Sequence, residues 1–205
     1  MAVRIGVLAL QGAFAEHERA LAQCGAQVCE IRARRDLMGI QGLVLPGGES
    51  TVMGTLLQEE GLLIPLRDLC RGGMPVLATC AGMILLAADL PDFALQPRLG
   101  VLDISVRRNA FGRQQESFTT FLQVRTFCAS AADRVEAVFI RAPLVERAGA
   151  GVEVLACLDG HPVAVLGGSM LALSFHPELT EDLRFHAWLV RRAAVWARAP
   201  RQSEK

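Results

Sequence analysis

The chain alternates short, wholly apolar runs with stretches whose apolar residues recur at helical spacing, and this alternation predicts most of its elements. Ile5 to Leu10 reads as a buried strand, and Ala13 to Cys24 as a helix closed by Gly25, a residue suited to the left-handed cap. Ala26 to Ile31 gives a second strand. Leu43-Val44-Leu45 is a third, which stops at Pro46-Gly47-Gly48, after which Glu49 or Ser50 caps a helix reaching about Gln58. Leu63 to Cys70 is helical and ends at Gly72-Gly73. The apolar run Pro75 to Thr79 then turns at Cys80 into a helix that opens with Ala81-Gly82-Met83.

Strand and helix alternate in this way through the first ~90 residues, which predicts a mostly parallel central sheet covered by helices on both faces. Sites in such sheets form at the carboxyl ends of strands, where Gly12, Gly47 and Cys80 all fall. The second half is richer in strands: Val101 to Val106, Val138 to Arg141, Val152 to Leu158, and a hairpin from Val163 to Ser174 turning at Gly167-Gly168. A last helix, about Leu183 to Ala197, follows Thr180-Glu181-Asp182, whose capping and acidic side chains suit a helix N-terminus. No repeat or linker divides the chain. The expectation is a single α/β domain over residues 1–198, with a disordered tail at 199–205.

Composition narrows the partners. The 205 residues, 52% of them hydrophobic, suffice for one substantial core. The 21 basic and 21 acidic residues cancel, which argues against nucleic acid or an anionic membrane and leaves proteins or small molecules. Six cysteines form no CxxC pair and no metal-ligand spacing with the four histidines, so neither a metal nor a cofactor is expected and a reduced, cytoplasmic setting is. Met1 to Leu10 has no signal-peptide pattern. Pro162 to Phe175 is too short to span a bilayer, which takes roughly 20 apolar residues.

The candidate chemistry lies at Cys80 and, nearly a hundred residues later, at His176-Pro177-Glu178. A thiol attacks a carbonyl carbon as thiolate, and a free cysteine with a pKa of roughly 8.5 holds little of that form at neutral pH. A following helix N-terminus and His176 as proton acceptor both favour it. The small Ala78 and Gly82 flank Cys80 as glycines flank the serine of a nucleophile elbow. His176 precedes proline and is biased toward an extended conformation, so Glu178, two positions on, projects to the same side and can orient the imidazole. The amide of Ala81 and the glycine loop Pro46-Gly47-Gly48-Glu49-Ser50 are candidate oxyanion donors. The plain alternative makes Cys80 a small buried hydrophobe, His-Pro-Glu a turn, and the loop a turn without ligand.

Along nearly its whole length the chain resembles the class I, triad-type glutamine amidotransferases, and more closely the glutaminase subunits of pyridoxal 5′-phosphate synthase. The matching segments are Gly6 to Ala13 with Glu16-His17, Leu45 to Thr51, Thr79 to Gly82, Arg108 to Gln114, Phe139 to Pro143, and Ser174 to Thr180. The resemblance implies a flavodoxin-like three-layer fold and hydrolysis of L-glutamine to glutamate and ammonia through a cysteine thioester. Cys80 would be nucleophile, His176 base then acid, and Glu178 its orienter. It implies an oxyanion hole from Gly47, Gly48 and Ala81, and glutamine binding by Gly48, Glu49, Ser50, Arg108, Ile140 and Arg141. Gln11, Gly12, Glu16 and His17 match a region that lies toward a synthase partner, to which ammonia passes; a solvated helix face is the other reading of that stretch. Pyridoxal phosphate would be the product of the complex. Two positions depart from the pattern: Ala78 stands where glycine is usual, and Thr119 where an acid is common. The rival functions are a self-sufficient cysteine hydrolase or free glutaminase on the same fold, and a docking module without catalysis.

Overall fold

The computed structural model describes residues 2–108 and 117–199, so the expected tail, from residue 200 onward, and most of the Arg108 to Gln114 segment lie outside the described residues. In chain order the first half runs β1 (Arg4–Leu8), α1 (Phe14–Gln23), β2 (Gln27–Ile31), β3 (Gly42–Leu45), α2 (Ser50–Glu59), α3 (Leu63–Arg71), β4 (Val76–Thr79), α4 (Ala81–Leu86) and β5 (Ala87–Asp89). The second half runs β6 (Leu102–Arg107), β7 (Ser117–Leu122), β8 (Val135–Ile140), β9 (Leu144–Ala148), β10 (Val152–Leu158), β11 (His161–Gly167), β12 (Met170–Leu173) and α5 (Arg184–Trp196), with a 3-10 turn at Pro177–Leu179.

The main sheet has the order β10-β11-β12-β4-β3-β1-β2. From β12 to β2 every pairing is parallel, and β10 and β11 add an antiparallel edge. The pleat divides each central strand between two cores, because successive side chains point to opposite faces. Leu43, Leu45, Val76 and Ala78 join the core under α2, α3 and α4. Val44 and Leu77, between them, join the core under α1 and α5, where Leu21, Phe185 and Leu189 are fully buried. This is a single three-layer α/β domain of the expected kind. The methyl of Ala78 is fully buried on a strand paired with Leu45 and Ala172, so the departure from glycine is absorbed by the core.

Three strands were not evident from the sequence. Ser117–Leu122 pairs antiparallel with β8, and Ala87–Asp89 and Leu144–Ala148 flank β6 in a small sheet. Their runs are short and their outward positions mix polar residues with apolar ones such as Ala88 and Phe121, which hides the period-two signal; Thr119 lies exposed on β7. Helix starts also differ. Glu49, at the N-cap of α2, makes no cap bond and sends its carboxylate to Arg108; the N-cap of α5 is Leu183, and the expected acidic start acts from one position earlier, where Asp182 Oδ1 accepts the N–H of Arg184 at 3.0 Å. No helix among the described residues is long and apolar enough to cross a membrane.

Candidate active site

Parallel pairing of β3, β4 and β12 brings three loop starts to one edge: Pro46-Gly47-Gly48, Cys80, and His176-Pro177-Glu178. Cys80 holds φ 47° and ψ −103°, a left-handed backbone that L-residues with a side chain seldom adopt. The bend is held from both sides, with the Cys80 N–H donating to Leu173 O at 2.8 Å and Gly82 seated where a Cβ would lie 2.0 Å from Leu45 O. The helix behind it is only six residues long. The site therefore depends chiefly on the enforced turn and on its neighbours across the sheet.

Those neighbours are His176 and Glu178. His176 Nδ1 lies 2.6 Å from Glu178 Oε1, which leaves Nε2 to face the cleft, buried and without a hydrogen-bond partner. The Cys80 thiol donates to Ile140 O at 3.8 Å in this geometry. Burial opposes charge on His176, but Cys80 and Glu178 together outweigh it and raise its pKa to about 10. Burial likewise opposes ionisation of Glu178, yet His17 and then His176 hold its carboxyl far below the usual carboxylate range. Gly47 fits against this pair because it lacks a side chain: a Cβ there would meet His176 Cε1 at 2.3 Å.

A cleft of about 300 Å³ opens in front of the sulfur, lined by Gly47, Gly48, Glu49, Ser50, Cys80, Arg108, Ile140, Arg141 and His176, together with Gln11 and Gly12. All six residues expected to bind glutamine line this cleft. Ser50 is 2% exposed, and its hydroxyl has no partner in the described structure. Arg108 is already engaged: it donates to Glu49 at 2.7 Å and to Thr51 and Gln96 at 2.8 Å, and its guanidinium carbon lies 4.2 Å from the Phe93 ring centroid. Arg141 makes no hydrogen bond or ion pair with any described residue and has φ 43°, another left-handed position. Ala81 does not line the cleft, but as the first residue of α4 its N–H has no acceptor within the helix.

The partner-side residues divide. Gln11 Oε1 accepts the Glu49 N–H at 2.7 Å, and Gly12, at φ 100°, lets the backbone pass so closely that a Cβ would lie 1.9 Å from Gly47 O. Both therefore brace the glycine loop. Glu16 is on the surface of α1, paired with Arg19 at 3.1 Å. His17 is fully buried, which corrects both its expected place at the partner interface and the alternative of a solvated face, since it is out of reach of a docking partner and of water. Its Nδ1 lies 2.9 Å from His186 Nε2, and its Nε2 lies 3.1 Å from Thr79 Oγ1 and 3.4 Å from Glu178 Oε2. Thr51 and Thr79 lie in matching segments but carry no expected role, and His186, Gln96 and Phe93 lie in none; His186 reads from the sequence as one more residue on the buried face of α5.

Solved structures place the fold in a class. A "glutamine amidotransferase" crystal structure superposes with a TM-score of 0.87 at 47% identity, covering 93% of this chain and 98% of that one. A glutamine amidotransferase from Thermotoga maritima shares the fold at a TM-score of 0.62 and 16% identity, covering 96% of this chain and 94% of that one. The chain belongs to the SNO glutamine amidotransferase family, whose model matches residues 7–195. It is 57% identical over 92% of its length, and 92% of the relative's, to a protein of Parafrankia sp. named pyridoxal 5′-phosphate synthase subunit PdxT. The Pelotomaculum thermopropionicum protein of the same name is 51% identical, covering 93% of this chain and 95% of that one.

Proposed function

We propose that Cys80, His176 and Glu178 are the catalytic triad of a glutaminase subunit that supplies ammonia to a pyridoxal 5′-phosphate synthase subunit in the cytoplasm. The observation that carries the assignment is the left-handed Cys80 at the mouth of the cleft, opposite an imidazole fixed at 2.6 Å by a buried carboxylate. Thiol and imidazole line the same cleft.

With the Cys80 proton on His176 Nε2, where the raised pKa of that ring holds it, the sulfur adds to the side-chain amide carbon of glutamine. The resulting oxyanion is received by N–H groups of the Gly47-Gly48 loop and of Ala81. His176 then protonates the leaving nitrogen, so the C–N bond breaks, ammonia departs, and a thioester with Cys80 remains. Water gives a proton to His176 and adds to the thioester, and the sulfur leaves with that proton as glutamate is released. Glu178 keeps the ring oriented through both half-reactions.

For recognition, Arg141 takes the α-carboxylate as an uncommitted guanidinium, while Glu49, fixed by Arg108, takes the α-ammonium. Ser50 and the backbone of Gly48 and Ile140 complete the wall. The partner docks over Gln11, Gly12 and Glu16, and through Gln11 and Gly12 it acts on the oxyanion loop. Residues 1–198 make one functional unit.

Glutamate release measured with and without the synthase subunit tests this reading. A weak rate alone that rises on mixing is expected. Full activity in the isolated chain would favour the self-sufficient hydrolase, and no activity in either state the docking module.

A further inference from the structure

Behind the triad lies a chain of polar side chains that the reaction as written does not use. Glu178 is 7% exposed and spends Oε1 on His176, which leaves Oε2 enclosed on the far side. A buried charged oxygen without a donor is costly and free to swing. The donor facing it is His17 Nε2, at 3.4 Å, reaching in from α1. Thr79 of β4, one residue before the nucleophile, lies 3.1 Å from the same nitrogen, and His186 of α5 lies 2.9 Å from the other. Three elements of the fold therefore converge on one fully buried imidazole carried by a fourth.

Proton counting assigns its tautomer. Burial, followed by the neighbouring His17, pushes the His186 pKa down to about 3, so this ring is neutral at neutral pH and carries one N–H. Its Nδ1 is buried without a partner. With the hydrogen on Nε2, His186 donates to His17 Nδ1, and only a lone pair is left unmatched; with the hydrogen on Nδ1, a buried N–H would be stranded and two bare nitrogens could face each other. Accepting at Nδ1 leaves the hydrogen of a neutral His17 on Nε2, and a cationic ring carries one there as well, so in both states an N–H is aimed at Thr79 and Glu178. Asp182, at the start of α5, is the other acid whose field reaches His186, and it opposes the downward shift.

We propose that His17, with its tautomer set by His186, is a positioning residue for glutamine hydrolysis: its Nε2–H holds the second oxygen of Glu178 and so fixes the plane of the carboxylate that orients His176. The same helix begins at the oxyanion loop, where the Ala13 N–H donates to Gly47 O at 3.0 Å. One turn of α1 therefore separates the brace of the oxyanion loop from the brace of the triad, and a partner that presses on the start of α1 acts on both.

The inference rests on the triad reading, and its test separates the two. Glutamine carries its amide nitrogen near the place of histidine Nε2, whereas asparagine carries it near Nδ1. In the complex with the synthase subunit, His17→Asn and His17→Leu are expected to lower kcat about 10- to 100-fold with KM changed less than about twofold, and His17→Gln to recover most of the loss. Equal kcat in His17→Asn and His17→Gln, or a loss that follows thermal stability, would overturn the positioning role. Should Cys80→Ala abolish turnover while the His17 variants keep the kcat of the parent, the triad stands and this proposal fails. If the variants do not fold, the native chain decides: long-range proton–nitrogen correlation spectra of its four histidines are expected to show His17 protonated at Nε2 and bare at Nδ1, and the opposite tautomer would overturn the proposal.

Discussion

The two ends of the cleft are held in different ways. At the sulfur end, His176 and Glu178 are buried, joined at 2.6 Å, and pinned to strands: the His176 N–H donates to Val138 O and the Cys80 N–H to Leu173 O, both at 2.8 Å. At the recognition end, Arg141 stands exposed and unpaired among the described residues, on a left-handed residue at the tip of β8, and Gly47-Gly48 is a loop braced by Gln11 and the Ala13 amide. Groups that must meet within hydrogen-bond reach are built on rigid elements, whereas groups that must let a substrate in and a product out are placed on loops. The comparison locates where a docking partner can act: on the loop and the first turn of α1, without unpinning the strands that hold Cys80 and His176.

The strongest way to break this comparison is to remove the sulfur. Cys80→Ala should lower glutamate release by several orders of magnitude, on the order of 10⁶ where such triads have been measured, with the fold and thermal stability nearly unchanged. A rate within tenfold of the parent would put the chemistry elsewhere. Glu178→Gln is expected to be milder, as for the carboxylate of subtilisin. Gly47→Ala probes the seam between the two ends. Its Cβ would come within 2.3 Å of the His176 ring, so kcat should fall about 100-fold, the cost of an ångström's misplacement, in a steady-state assay of the complex.

Arg141→Ala sharpens the comparison from the other end, because loss of one charge-assisted contact should raise KM about 10- to 100-fold while kcat stays within a few-fold. A drop in kcat at constant KM would move Arg141 from recognition to chemistry. The smallest expected effect is on stability. The folded-state pKa of His176 is raised from 6.5 to about 10, so its contribution is fully present below pH 6.5 and is lost as pH rises toward 10. Melting temperature should decline across that window, and Glu178→Gln should flatten the decline.

How far the sequence could be read follows the same division. The parallel core was legible because Ile5 to Leu8, Leu43 to Leu45 and Val76 to Thr79 are buried on both faces and read as continuous apolar runs. The elbow was legible because Cys80 sits between Ala78 and Gly82 at the end of such a run. The edge strands were not, since Ser117–Leu122 leaves one face to solvent and carries a weak alternation. Arg108 is fixed by residues scattered from Glu49 to Gln96, and His17 by a histidine 169 positions away. No local pattern encodes such pairings, because they exist only once the sheet has brought the loops together.

The central claim is that one sulfur among six is activated by its place in this cleft. Mass spectrometry after reaction with a glutamine-mimicking alkylating agent reads it directly, on the complex at substoichiometric reagent. The account predicts a single label on Cys80, blocked by excess glutamine and absent in His176→Asn. Labelling spread over Cys24, Cys128 and the exposed Cys157, or untouched by glutamine, would contradict it.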